Sequence, residues 1–294
     1  MAGAMVMDVT ALSTSPTALV ADALVAAAAG WYLEALLRLA ERKERWPALR
    51  TASYLGGLAL FFAVFGSAFS SYAAMDFPLH VVQHVVMMMA APPLVVAGRP
   101  GELRRRLSDS ASRLRAGSRR GLLGGLVVMG AYYGSMWVFF LTPLFAESMR
   151  TAVFEDAVNV VFIGLGVAYW RVVLREAATP QATHLKRVAA TLVSMPIDMY
   201  LGFVLRGLGR SIGAGTTAAS VGEGGEMFWW FTMLVCGISF AAVVVVWVLD
   251  SERAARRLDE ELEGTEPEWV RPSCVEVGYV PSPSPSGQGG ISLG

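Results

Sequence analysis

The chain has 294 residues, 54% of them hydrophobic and 16% charged, with a mean hydropathy of +0.50. Soluble domains carry about a quarter charged residues, so a soluble globular fold is excluded. The formal net charge is zero, and only its distribution along the chain is informative.

The apolar residues fall in runs of about 20, the length that crosses a bilayer core as helix. No alternating segments of the membrane-barrel kind cover enough of the chain to compete with that reading. The N-terminus carries Asp8 and no basic segment, so no cleavable signal peptide is expected. Seven spans are predicted, near 17–37, 48–70, 77–97, 122–145, 152–174, 186–206 and 226–249. Between them the bases are sorted. Five lie in the first loop (Arg38 to Arg50), eight in the third (Arg99 to Arg120), four around the fifth (Arg171 to Arg187) and four in the tail (Arg253 to Arg271). That places 21 of the 24 Lys and Arg on one side, leaving Arg150, Arg206 and Arg210 on the other. Under the positive-inside rule this predicts an all-α integral membrane protein, a seven-transmembrane-helix bundle with the N-terminus outside and the C-terminus cytoplasmic. It is expected as a multi-pass protein of the plasma (inner) membrane.

The outer half is expected to be acidic, with Asp8, Asp22, Asp76, Glu147, Glu155, Asp156, Asp198, Glu223 and Glu226 against three bases, a field that concentrates cations. Translocated loops that simply lack Lys and Arg would look the same. Residues 1–249 are expected to form the membrane domain. From Asp250 a charged helical continuation leads into "PSPSPSGQGGISLG", which buries too little apolar surface to fold and is expected to be a disordered cytoplasmic tail. Cys236 and Cys274 form neither a disulfide framework nor a thiolate metal pattern.

Span three opens "FPLHVVQHVVMMMAAPPLVVAGRP". His80 and His84 are four apart, so both imidazoles project from one helical face, and Met88 continues it. Imidazole and thioether together suit copper. Histidines that merely bond across helices, with methionine as packing filler, are the plainer alternative. Pro92 and Pro93 each remove a backbone donor, so the helix kinks or ends there and neighbouring helices must cover the break. Span six carries Asp198 between Met195 and Met199. A carboxylate at that depth needs a partner: a bound cation, a span-three histidine, or Arg206. Glu155 and Asn159 share a face at the start of span five and could orient a metal-bound imidazole.

Nucleophilic catalysis finds no triad or elbow. A retinal Schiff base lacks its lysine, since only Lys43 and Lys186 exist and both are assigned to loops. "HVVQHVVMMMAAPPLVVAGRP" resembles the signature segment of the multispanning CtaG family of cytochrome c oxidase assembly factors, and "RWPALR", "FFLTPLF" and "GVAYW" follow in corresponding order. The resemblance covers most of residues 30–250 and is specific at 80–100. Members carry Trp-His-x-Pro at the end of span four, where this chain has Phe140-Leu141-Thr142-Pro143, and histidines near positions here held by Glu155 and Asn159. The resemblance implies a non-enzymatic assembly factor that binds or delivers copper at the outer face, with oxidase subunits and the lipid bilayer as partners and no nucleic acid. His80 and His84 transfer by motif; Met88 and Asp198 join them as candidate metal ligands from the residue reading. A copper or proton transporter and a structural respiratory subunit are the alternatives.

Overall fold

The computed structural model describes residues 16–108, 122–174, 180–213 and 215–265, and all of the regular structure among them is helical. The expectations for Asp8, for Arg113, Arg115, Arg119, Arg120, Arg175 and Arg271, for Cys274 and for the tail beyond 265 lie outside the described residues. Helix α1 is Pro16–Glu41, α2 Ala48–Phe65, α3 Phe69–Ala73 and α4 Phe77–Val85. A π turn, Val86–Ala90, then leads into α5 (Ala91–Ala97), followed by α6 (Pro100–Leu107) and α7 (Leu122–Leu141). Finally come α8 (Leu144–Ser148), α9 (Ala152–Val173), α10 (Pro180–Gly207) and α11 (Ala218–Thr265). Seven stretches are long and apolar enough to cross a membrane, matching the seven predicted runs. The chain divides into two compact units, residues 1–246 and 247–294; what is described of the second is the continuation of α11 to Thr265.

Local chemistry sets the helix ends. Asp76 caps α4, its Oδ1 accepting the Leu79 N–H at 3.0 Å, with Pro78 in the first turn where its missing N–H costs nothing. Arg99 adopts a left-handed φ of 50° and turns the chain into Pro100, which starts α6. At the C-terminus of α9 the orphan carbonyls are taken by cations from α10: Lys186 Nζ donates to Val172 at 2.8 Å and Arg187 to Leu174 at 3.0 Å.

Span three is the central element. In its most apolar window 61% of residues are buried inside the protein, against 11% for the first and last spans, whose apolar faces are left for lipid. Two cores meet on it. One gathers α4, α7, α9, α10 and α11 around Val81, Val85, Met88 and Met89; the other gathers α1, α2 and α6 around Met87 and Ala91. The three consecutive methionines therefore serve opposite sides of the same span.

The end of the bundle that holds residues 41–48 and 98–107 is knit by charge. Glu102 receives Arg50 at 3.2 Å, Arg99 at 3.3 Å and Arg106 at 2.9 Å. Arg50 and Arg106 also lie 5.1 and 5.2 Å from the Trp46 ring. Trp46 Nε1 donates to Tyr32 Oη at 3.1 Å, which donates to the Gly98 carbonyl at 2.9 Å. The first loop and α6 are thus one polar clasp at the basic end.

The proline break is covered as expected, and its cover has named atoms. Pro92 and Pro93 have no N–H for the carbonyls one α-turn back, those of Met88 and Met89. The chain widens to i→i−5 bonding, with Ala91 N–H reaching Val86. The Met88 carbonyl accepts instead from Trp170 Nε1 of α9 at 3.2 Å and Tyr132 Oη of α7 at 3.5 Å. Trp170→Phe removes the better donor and leaves a buried carbonyl short of a partner, a cost of about 1–3 kcal/mol. A lowered thermal midpoint of the purified protein in detergent is the expected result. Tyr132→Phe, which removes only the longer contact, is expected to shift it less.

Candidate functional site

His80 and His84 lie on the face that their spacing predicts, and the packing around them is apolar. Each is 1% exposed. Their Nε2 atoms approach to 2.9 Å, with ring centroids 4.6 Å apart and planes at 73°. In a neutral pair one Nε2 carries the hydrogen and the other accepts it. The donor ring then has a bare Nδ1 and the acceptor ring an Nδ1–H. Neither Nδ1 makes a hydrogen bond among the described residues; the Ala73 backbone lies against the His80 ring outside hydrogen-bond geometry. Two buried polar atoms left this way cost about 1–3 kcal/mol each.

Phenylalanine surrounds the pair. Phe145 meets the His80 ring edge-on at 5.4 Å; Phe139, Phe162 and Phe140 meet His84 at 5.0, 5.0 and 5.8 Å. Phe77 closes the shell by meeting Phe140 and Phe145 edge-on. The sequence signal for this shell was the "FF" of "FFLTPLF", and Leu141, which follows it, stands where the family pattern has histidine. Gln83, between the histidines, bonds away from them, its Nε2 donating to the Val64 carbonyl at 2.9 Å. It ties α4 to α2.

The other predicted site residues fall elsewhere. Met88 is fully buried within the π turn that begins at Val86, in the same core as Phe139, Phe140, Phe145 and Phe162. Asp198 is 4% exposed and does not reach the imidazoles as a third ligand: among the described residues no group of three His, Cys, Asp or Glu could hold a metal ion. Arg206, one of the three partners considered for Asp198, pairs instead with Glu226 at 3.2 Å. Asn159 is buried on α9 one turn from Phe162, its Oδ1 without a hydrogen bond among the described residues. Of the acids expected at the outer end, Glu147 and Glu226 are neutralised by Arg150 and Arg206.

Around Asp198 the structure assembles polar groups that the sequence reading did not connect. Tyr133 and Tyr169 share a hydrogen bond of 2.7 Å, and Tyr132 stacks on Tyr169 at 4.2 Å. Ser194 Oγ lies 3.9 Å from Cys236 Sγ. The signals were the "YY" of α7 and the tyrosine of "GVAYW", which hydropathy counts as apolar.

Seven helices long and apolar enough to cross a membrane, with an imidazole pair enclosed in aromatic rings, define a multi-pass membrane protein. The family model described as cytochrome c oxidase caa3 assembly factor, Caa3_CtaG, matches residues 30–250, and the chain belongs to that family. It is also similar to an uncharacterized protein of Mycobacterium leprae, 22% identical over 259 residues, which are 80% of this chain and 39% of that one. An uncharacterized protein of Mycobacterium bovis is 23% identical over 271 residues, 82% of this chain and 41% of its own. The chain thus spans about two fifths of the length of these curated relatives. No solved structure matches.

Proposed function

We propose that this chain handles copper for the maturation of cytochrome c oxidase, holding the ion between His80 and His84 near the outer face of the membrane and passing it on without turnover chemistry of its own. The observation that carries the reading is the pair itself: two converging Nε2 atoms at 2.9 Å, each ring with an unbonded Nδ1, in a shell of phenylalanine. Metal–imidazole bonds are about 2.0 Å long, so an ion between the rings requires them to part by roughly 0.5–1 Å. Side-chain rotation supplies that much. Among the described residues no carboxylate completes the site, which favours a soft or borderline ion of low coordination number over magnesium or calcium. An incomplete ligand set also suits a cargo site, since the ion must leave. The basic clasp at one end and the histidines toward the other support an orientation with the N-terminus outside and the pair facing the compartment through which copper arrives.

Replacing both histidines with alanine in the native host is expected to lower oxidase activity in isolated membranes, with added copper restoring part of it. Unchanged oxidase in the double variant overturns the reading.

A further inference from the structure

A second group of metal-binding side chains lies deeper in the bundle, away from the imidazoles. Two helices present it at matching spacing. On α10, Ser194 and Asp198 are four apart; on α11, Thr232 and Cys236 are four apart; each pair therefore projects from one face. The faces meet, with Ser194 Oγ 3.9 Å from Cys236 Sγ. Span three adds a second sulfur, for Thr232 Oγ1 donates to Met89 Sδ at 3.7 Å. Asp198 is 4% exposed, Cys236 5%, Met89 3% and Thr232 fully buried. The Asp198 carboxyl is within electrostatic reach of the Cys236 thiol, and its Oδ2 makes no hydrogen bond among the described residues. Arg206, one cation considered for it, is engaged by Glu226. A buried carboxyl on a face that meets a thiol and a thioether, with no ion pair among the described residues, has the composition of a cation site.

We propose that Asp198, Cys236 and Met89 form a second intramembrane site for a cuprous ion, about 7 Å further along span three than His84 at 1.5 Å per residue. Thiolate and thioether donors select a soft ion, and low coordination suits the monovalent state. The thiol proton passes to the Asp198 carboxylate as the sulfur–metal bond forms, so one anionic sulfur, one monovalent cation and a neutral carboxyl leave the apolar interior without net charge. No electron transfer is involved. This site goes beyond the imidazole pair and does not depend on it.

The test is anaerobic titration of the full-length protein in lipid nanodiscs with cuprous ion against a chromogenic chelator. The native chain is expected to bind two equivalents and His80→Ala/His84→Ala one. Adding Cys236→Ser or Asp198→Asn, each close to its parent in shape, is expected to remove the remaining equivalent. As a measurement that needs no variant, cuprous ion is expected to protect Cys236 of the native chain from alkylation, read at that residue by mass spectrometry. A single equivalent lost with the histidines overturns the proposal, as does one that survives both inner substitutions, or an unprotected Cys236. Preference for zinc over cuprous ion overturns the assignment of the metal. Loss of oxidase maturation in the histidine variant with its one remaining equivalent intact upholds the outer site separately from the inner one.

Discussion

The double variant His80→Leu/His84→Leu is expected to melt no lower than the native protein while abolishing copper-dependent maturation of the oxidase. Each single variant is expected to melt lower. The reasoning rests on the asymmetry of buried hydrogen bonds. Removing one imidazole leaves the other's Nε2 unbonded in a shell of phenylalanine, adding about 1–3 kcal/mol to the cost already borne at Nδ1. Removing both deletes four buried ring nitrogens, two of which are unsatisfied to begin with, and fills the space with apolar atoms of similar bulk, a change that is nearly neutral or stabilising. The two substitutions are therefore expected to be strongly non-additive, because their targets are in direct contact. The measurement is a double-mutant cycle on thermal midpoints in detergent, set beside oxidase activity in membranes. If the pair were retained for structure, function would recover along with stability in the double variant. If it is retained for metal, stability and function separate.

The second large effect is expected at neighbouring glycines of α2. A Cβ at Gly57 would stand 2.7 Å from Val95 Cγ2, 2.9 Å from the Ala91 carbonyl oxygen and 2.9 Å from Val95 N. The valine methyl can turn aside; the α5 backbone cannot, held as it is by the proline break. Gly57→Ala is thus expected to pry α2 from α5, with an overpacking cost of about 1–3 kcal/mol. A Cβ at Gly56 meets nothing within 4 Å. Gly56→Ala is expected to be neutral or to gain up to about 1 kcal/mol, since alanine has less conformational freedom than glycine to lose on folding. Expression level and thermal midpoint of the two variants, side by side, check this. Equal effects at the two positions would count against close helix approach through small residues as the way this pair packs.

The spans were legible because bilayer length imposes a run of apolar residues that needs no knowledge of tertiary contacts. The face shared by His80 and His84 was legible for the same kind of reason, a spacing of four on a regular helix. Regularity stops at Val86, and the wider turn there was not legible: whether proline-freed carbonyls are met by a kink or by a wider turn depends on the indole of Trp170, 82 residues away. Asp198 was recognisable as an unusual acid. Its surroundings were not, because tyrosine, serine and cysteine reveal nothing until four helices bring them together. The small helices α3 and α8 were too short to leave a periodic signal. Helix α11, by contrast, begins at Ala218, ahead of the predicted span, because "AASVGEGGE" extends a helix that hydropathy alone does not register.

The wide turn at 86–90 has a consequence for what evolution can do with this segment. A π turn accommodates one residue more than the α-helix around it. Deleting any one of Met87, Met88 and Met89 would let span three close into ordinary α geometry. Everything beyond it would keep close to its present orientation relative to the histidines, because the wide turn takes up its extra residue within one turn. Pro92 would stay against Gly166, and the basic clasp around Glu102 would keep its alignment with α2. What a shorter turn would lose is the division of the three methionines between the two cores. The segment therefore tolerates a change of length at this one turn more readily than a change in which side chains it sends to each side.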